Sequence, residues 1–175
     1  RHSFPTRRSS DLAVVIEHGT LSMDGLGSLT GRLRIESRTE GTGAAARQQL
    51  AIGLDSLTAT VTLGGARATL TGGRGAVLLS QQTGGSLRYA VQVDGAASLS
   101  GIDGLTLDAS RMTLAINRMN VALDTAVATV DGWAGLSMLR DESRLRGQGR
   151  ASIAGVLAVE GALFVESRPA QTLTL

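Results

Sequence analysis

Apolar and polar residues alternate along most of this 175-residue chain. In "RLRIES" (32–37) Leu33 and Ile35 fall on one side, with Arg32, Arg34 and Glu36 on the other. "RYAVQVD" (88–94) sets Tyr89, Val91 and Val93 against Arg88, Gln92 and Asp94. "LTATVTL" (57–63), "VALDTAVAT" (121–129) and "VEGALFV" (159–165, with Val159, Leu163 and Val165) follow the same period. A period of two predicts strands with one buried and one solvated face. The runs predict strands of about ten to thirteen residues, longer than the common five or six. Between 105 and 116 the apolar phase moves from Leu105 and Leu107 to Met112, Leu114 and Ile116. A slip of one residue would reverse the faces, so a β-bulge is expected near Ala109–Arg111.

Turn signals separate these runs. Asp-Gly occurs at 24–25, 94–95, 103–104 and 131–132, and Gly-Gly at 64–65, 72–73 and 84–85. Both dipeptides supply the positive φ that tight hairpins require. Asp94-Gly95 lies between two alternating runs and reads equally as a bulge or bend inside a long strand. Two stretches could be helical instead. "AAARQQLAIGL" (44–54) holds good helix formers, and 133–145 spaces Trp133, Leu136 and Leu139 three apart.

One block is written twice. "GTLSMDGLGSLTGRLRIESR" (19–38) returns as "GRASIAGVLAVEGALFVESR" (149–168). Without a gap, Gly19, Ser22, Gly25, Gly31, Glu36 and Arg38 align with Gly149, Ser152, Gly155, Gly161, Glu166 and Arg168. A weaker echo starts at Gly95 and keeps Ser98 and Gly101, running on to Gly104. The division that follows is a preceding unit ending at 13–38, one unit at 39–168, and the start of another at 169–175. Self-similarity at a fixed period marks repeat architectures in which each unit covers its neighbour's apolar face. The expected fold is all-β, an elongated, solenoid-like curved sheet of long, largely antiparallel strands. Two similar hairpins in a closed β-sandwich are the alternative.

Composition narrows the function classes. Aromatic residues make up 2% of the chain, which suits thin, regular β layers better than a globular core. There is no cysteine, hence no disulfide and no thiolate metal site. The formal charge of +2 is carried wholly by Arg1, Arg7, Arg8 and Asp11, leaving the rest neutral. Without a basic face or an aromatic platform, nucleic acid is not an expected partner. His18 has serines and Asp24 nearby but no Gly-x-Ser-x-Gly elbow, and reads as a solvated strand residue. Asp24, Asp94, Asp103, Asp108, Asp124 and Asp131 are candidate calcium ligands, but no calcium-loop spacing accompanies them and four precede glycine in turns. "GGRG" (72–75) and "GLG" (25–27) lack the helix that aims a phosphate cradle. Asp141-Glu142 reads as a solvated charged loop or helix face. No cofactor and no enzymatic activity are expected.

Two resemblances add to this. "RHSFPTRRSSDL" (1–12) resembles a translated sequencing adapter from environmental DNA and is set apart from the fold, the chain being read as a piece of a longer one. "VQVDGAASLSGIDGLTLDASRMTLAIN" and "RGQGRASIAGVLAVEGALFVES" resemble repeat modules of giant bacterial surface proteins of adhesin-like type. That resemblance covers 86–168 and the partial copy at 13–38, and nothing in 39–85. It implies an exported, extracellular or cell-surface location (alternatively periplasmic) and a structural or adhesive role. The implied partners are neighbouring repeat units, with host-surface or matrix glycans or proteins as further ones. The competing expectations are an envelope lipid-transport bridge with an apolar groove and a carbohydrate-active β-helix.

Overall fold

The computed structural model describes residues 12–23, 27–40, 47–63, 66–81 and 87–167. The fold is all-β and contains no helix among the described residues. Ten strands form among the described residues: β1 (Ala13–Met23), β2 (Gly27–Glu40), β3 (Arg47–Leu63), β4 (Ala66–Gln81), β5 (Leu87–Ile102), β6 (Leu105–Asn117), β7 (Leu123–Ala128), β8 (Trp133–Met138), β9 (Ser143–Ile153) and β10 (Leu157–Ser167). Eight of them make one antiparallel sheet in the order β1-β2-β3-β4-β5-β6-β9-β10. Among the described strands it is a meander, open at both edges and not closed into a barrel. A parallel β-helix is thereby excluded for the described strands.

Neither helical alternative is formed. β3 starts at Arg47 and β8 occupies 133–138, while residues 44–46 lie outside the described residues. In β8 the buried set is Ala134, Leu136 and Met138, at period two, whereas Trp133 and Leu139 are exposed. β3 pairs along both sides, with β2 and β4. Two full ladders outweigh the few tenths of a kcal/mol per residue by which Ala and Gln favour a helix. The eight sheet strands run from 11 to 17 residues; β2 to β5 exceed the expected length, while β1, β6, β9 and β10 fall within it.

Register partners share a face of the sheet. On one face, apolar residues from β1 to β6 join in a single cluster built on Leu29, Leu33, Ile52, Leu54, Leu57, Val77, Val91 and Val93, with Ile16, Leu21 and Leu114 packed beside it. Leu54, Leu57 and Val77 are fully buried there. No described element is layered on this face, so its burial reflects the curl of a long twisted sheet.

The opposite face is polar, and its centre is capped. Between β6 and β9 the chain leaves the sheet, forms the β7–β8 hairpin, and returns. Val127, Ala134, Leu136 and Met138 of the hairpin pack on Ala51, Ala76, Leu78, Ala90 and Ala115. The root of this excursion is tied by the buried Asn117. Its side-chain amide donates to the carbonyls of Val121 and Leu139, both at 2.8 Å, and its carbonyl accepts the Met119 N–H. The Leu139 N–H donates to Glu142 at 2.6 Å, and Arg144 pairs with the same carboxylate at 2.9 Å. Glu142 is 1% exposed. It is therefore not the solvated charge expected of "LRDESR": an arginine two residues on makes its burial tolerable.

Candidate functional site: a glycine crease and a polar row

The register shifts are not scattered. Between Ile16 and Gly19, β1 advances one residue more than β2; β3 does so between Leu54 and Thr58, β4 between Thr71 and Arg74, and β6 between Ala109 and Met112. The β6 bulge lies at the predicted Ala109–Arg111, where β9 also shifts register. The four unbulged strands place Gly31, Gly95, Gly149 and Gly161 along the same line. A band of bulges and glycines thus crosses all eight strands near mid-length. Each extra residue pushes backbone toward the neighbouring strand, and a missing Cβ makes room for it. A Cβ on Gly31 would lie 2.7 Å from the Asp55 carbonyl oxygen, and one on Gly149 would lie 2.4 Å from that of Asp108.

This crease accounts for the repeated block. Gly19 pairs with Gly31, and Gly149 with Gly161. From those pairs to the turn the two hairpins keep the same register: Thr20↔Thr30 and Arg150↔Glu160, Leu21↔Leu29 and Ala151↔Val159, Ser22↔Ser28 and Ser152↔Ala158, Met23↔Gly27 and Ile153↔Leu157. On the other side they differ, because β1 is bulged and β9 is not. The block is therefore one hairpin used twice, at the opposite ends of a single sheet.

The remaining singled-out positions fall into place around it. Gly104 (φ 73°) turns β5 into β6, and Gly155 (φ 68°) turns β9 into β10. Gly101 takes φ 83° near the end of β5, where the register slips before Ile102. Asp94-Gly95 lies inside β5, and Gly72-Gly73 inside β4 as its bulge rather than as a turn. Asp131-Gly132 joins β7 to β8. Gly25, Arg168 and the dipeptides 64–65 and 84–85 lie outside the described residues. Glu36 carries Arg34 and Arg38 beside it at 2.7 and 2.8 Å. Burial raises its pKa, but the two guanidiniums outweigh that and hold it below the ordinary 4.5. Its counterpart Glu166 pairs in register with Arg144.

On the polar face one row of register partners runs across the whole sheet: Ser22, Ser28, Thr60, Thr69, Ser98, Asp108, Arg150 and Glu160. Hydroxyls occupy its first five places, and an arginine between two carboxylates its last three. Neighbouring strands set these groups about 4.8 Å apart. Where the row meets the crease, an open groove of about 710 Å³ forms, lined by Thr71, Ser98, Asp108, Ser110, Arg150 and Glu160 among others. His18, on β1, lies at the other edge of the sheet from this groove and brings no base to it. The groove offers donors and acceptors of both charge signs to a polar ligand.

A second polar cluster joins sheet and hairpin. The Asp55 carboxylate is 3% exposed; it accepts from Arg74 at 2.9 Å and from the Asp131 backbone N–H at 2.9 Å. Burial pushes the Asp55 pKa up, but the Asp131 N–H and the nearby Thr129 and Arg74 side chains outweigh burial and leave it below 3.8. Arg32 completes the tie, meeting Asp131 at 2.7 Å and Glu17 at 2.8 Å. The sequence pattern does not reveal this cluster, since bonded partners within it lie up to 99 residues apart. Nor does any group of three His, Asp or Glu side chains suited to a metal occur among the described residues.

The fold and these surfaces define an open antiparallel meander with a repeated edge hairpin. No protein-family model, curated protein or solved structure matches the chain.

Proposed function

We propose that this chain is a structural and adhesive repeat segment of a large exported bacterial surface protein. It would serve as a spacer or multivalent stalk rather than as an enzyme. The observation that carries the reading is the placement of the repeated block, which builds the hairpin at each end of one open sheet. A following unit can then extend the sheet instead of starting a new fold. Each unit repeats the polar row, so weak contacts to host-surface or matrix glycans or proteins add through effective concentration. A unit of residues 39–168 contributes six sheet strands. In a chain carrying that unit twice, small-angle scattering should show a maximum dimension greater by roughly 30 Å, at about 4.8 Å per strand. An unchanged dimension, with the second unit folded face to face on the first, would sink the proposal.

The lipid-bridge reading has one observation in its favour. The apolar face persists to β10, where Leu157 and Val159 are 55% and 54% exposed. It stands second because the middle of that face is filled by the chain's own Leu54, Leu57 and Val77. Phospholipid released from the purified chain, detected by mass spectrometry, would reverse the order.

A further inference from the structure

We infer that the free edge of β10 is a strand-acceptor site, shaped for a bulged strand of the β3 type. The inference rests on the repeat reading and deepens it by naming the joint between units. Among the described residues β10 is the last strand of the sheet and has only β9 beside it. Its counterpart in the repeated block is β2, which has β1 on one side and β3 on the other. Gly31 of β2 is required by that outer neighbour, because the β3 bulge, with Ser56 at φ 52°, brings the Asp55 carbonyl within 2.7 Å of where a Cβ would stand. Gly161 occupies the same place in β10, yet a Cβ there would meet nothing within 4 Å. The glycine answers no contact among the described residues. It leaves room for a bulge that no described strand places there.

Exposure points the same way. Val159 is 54% exposed, whereas its counterpart Leu29, covered on both sides, is 8% exposed. The edge itself is eleven residues long, without proline or bulge. Edge strands normally carry such blocks against pairing, and β1, at the other edge, does carry a bulge. The register is fixed by the counterpart pairs Leu29↔Ala59, Thr30↔Thr58 and Arg32↔Asp55. Transferred to β10, these become Val159↔Ala59, Glu160↔Thr58 and Ala162↔Asp55. The occupant is thus an antiparallel strand with the pattern of residues 47–63, supplied by the next unit of the chain.

A labelled peptide of residues 47–63, titrated into the full chain and followed by fluorescence anisotropy, tests this. Saturable binding is expected, weakened at least about tenfold by Gly161→Val in the chain and by deletion of Ser56 from the peptide. Gly161→Val should leave the thermal midpoint of the chain unchanged, because its side chain meets open space. As a second measurement, a chain in which residues 39–63 replace 169–175 should slow hydrogen exchange at the β10 amides turned away from β9, and Gly161→Val should abolish that protection. Absence of saturable binding, equal binding by Gly161→Val, or unchanged exchange in the extended chain would overturn the inference. Chain-to-chain pairing through β10 that the peptide cannot displace would do the same. The spacer reading is judged separately, by the scattering dimension, and can stand if this joint fails.

Discussion

Asp55→Ala removes the centre of the tie between the sheet and the β7–β8 hairpin. Two losses can be sized. The Asp131 N–H, which donates to the Asp55 carboxylate at 2.9 Å, would lose its acceptor. A backbone donor left unsatisfied away from water costs about 1–3 kcal/mol. The Arg74 ion pair contributes less, because Arg74 is 52% exposed and stays hydrated without its partner. Pairs of that exposure are worth about 0–1 kcal/mol. Asp55→Ala should therefore destabilise by about 1–4 kcal/mol, and Asp55→Asn, which keeps an acceptor for Asp131, by about 1 kcal/mol. Arg74→Met should cost no more than about 1 kcal/mol. Urea unfolding followed by far-UV circular dichroism gives these differences as midpoint shifts, and the single tryptophan, Trp133 at the start of β8, reports on the hairpin. If Arg74→Met proves as damaging as Asp55→Ala, the ion pair and not the backbone bond carries the tie. A loss below about 0.5 kcal/mol for Asp55→Ala would refute the tie altogether.

Further outcomes follow from the same contacts. Asp55 and Glu36 both titrate below their ordinary values of 3.8 and 4.5. Their contributions are complete above those values and vanish as pH falls through the lower folded ones; urea midpoints should hold near neutrality and drop below about pH 4.5. Gly149→Ala sets a Cβ 2.4 Å from the Asp108 carbonyl oxygen, and Gly53→Ala sets one 2.1 Å from that of Ala128. Each should cost about 1–3 kcal/mol in calorimetric or urea measurements. Gly53→Ala should also speed exchange in β7 and β8, an effect Gly149→Ala should lack. Leu136→Ala empties a fully buried site under the hairpin and should cost about 2–5 kcal/mol while leaving β1–β2 exchange unchanged.

Much of this architecture is written in the period-two pattern. Leu33 with Ile35, and Val91 with Val93, face the apolar cluster as their alternation requires. The Leu107-to-Met112 phase change located the β6 bulge because apolar residues on both sides recorded the slip. At Ile16 to Gly19 and at Gly72-Gly73 the slips fall beside glycines, whose lack of a side chain leaves the phase unmarked. Leu54 to Leu57 does record the slip, as a spacing of three, but Leu57 also opens the alternating run 57–63, which hides it. The repeat was legible as text, yet only the strand order shows its copies at opposite ends of one sheet. Excursions are harder still. Leu136 and Leu139 read as a helical spacing because nothing local tells a short capping hairpin from a helical turn. Glu142 read as solvated because the groups that satisfy it come from the folded root of the excursion.

The direct pairing of β6 with β9 also has an evolutionary consequence. Register between these two strands runs from Leu105↔Ile153 to Ile116↔Ser143 without help from the residues looping out between them. What the loop covers is mostly alanine: Ala51, Ala76, Ala90 and Ala115. A chain built this way can swap that cassette for a longer or differently decorated one without breaking the sheet, provided the replacement restores the contacts of Leu136 and Asp131. Copies could thus diversify there, one at a time, while the scaffold that carries them stays the same.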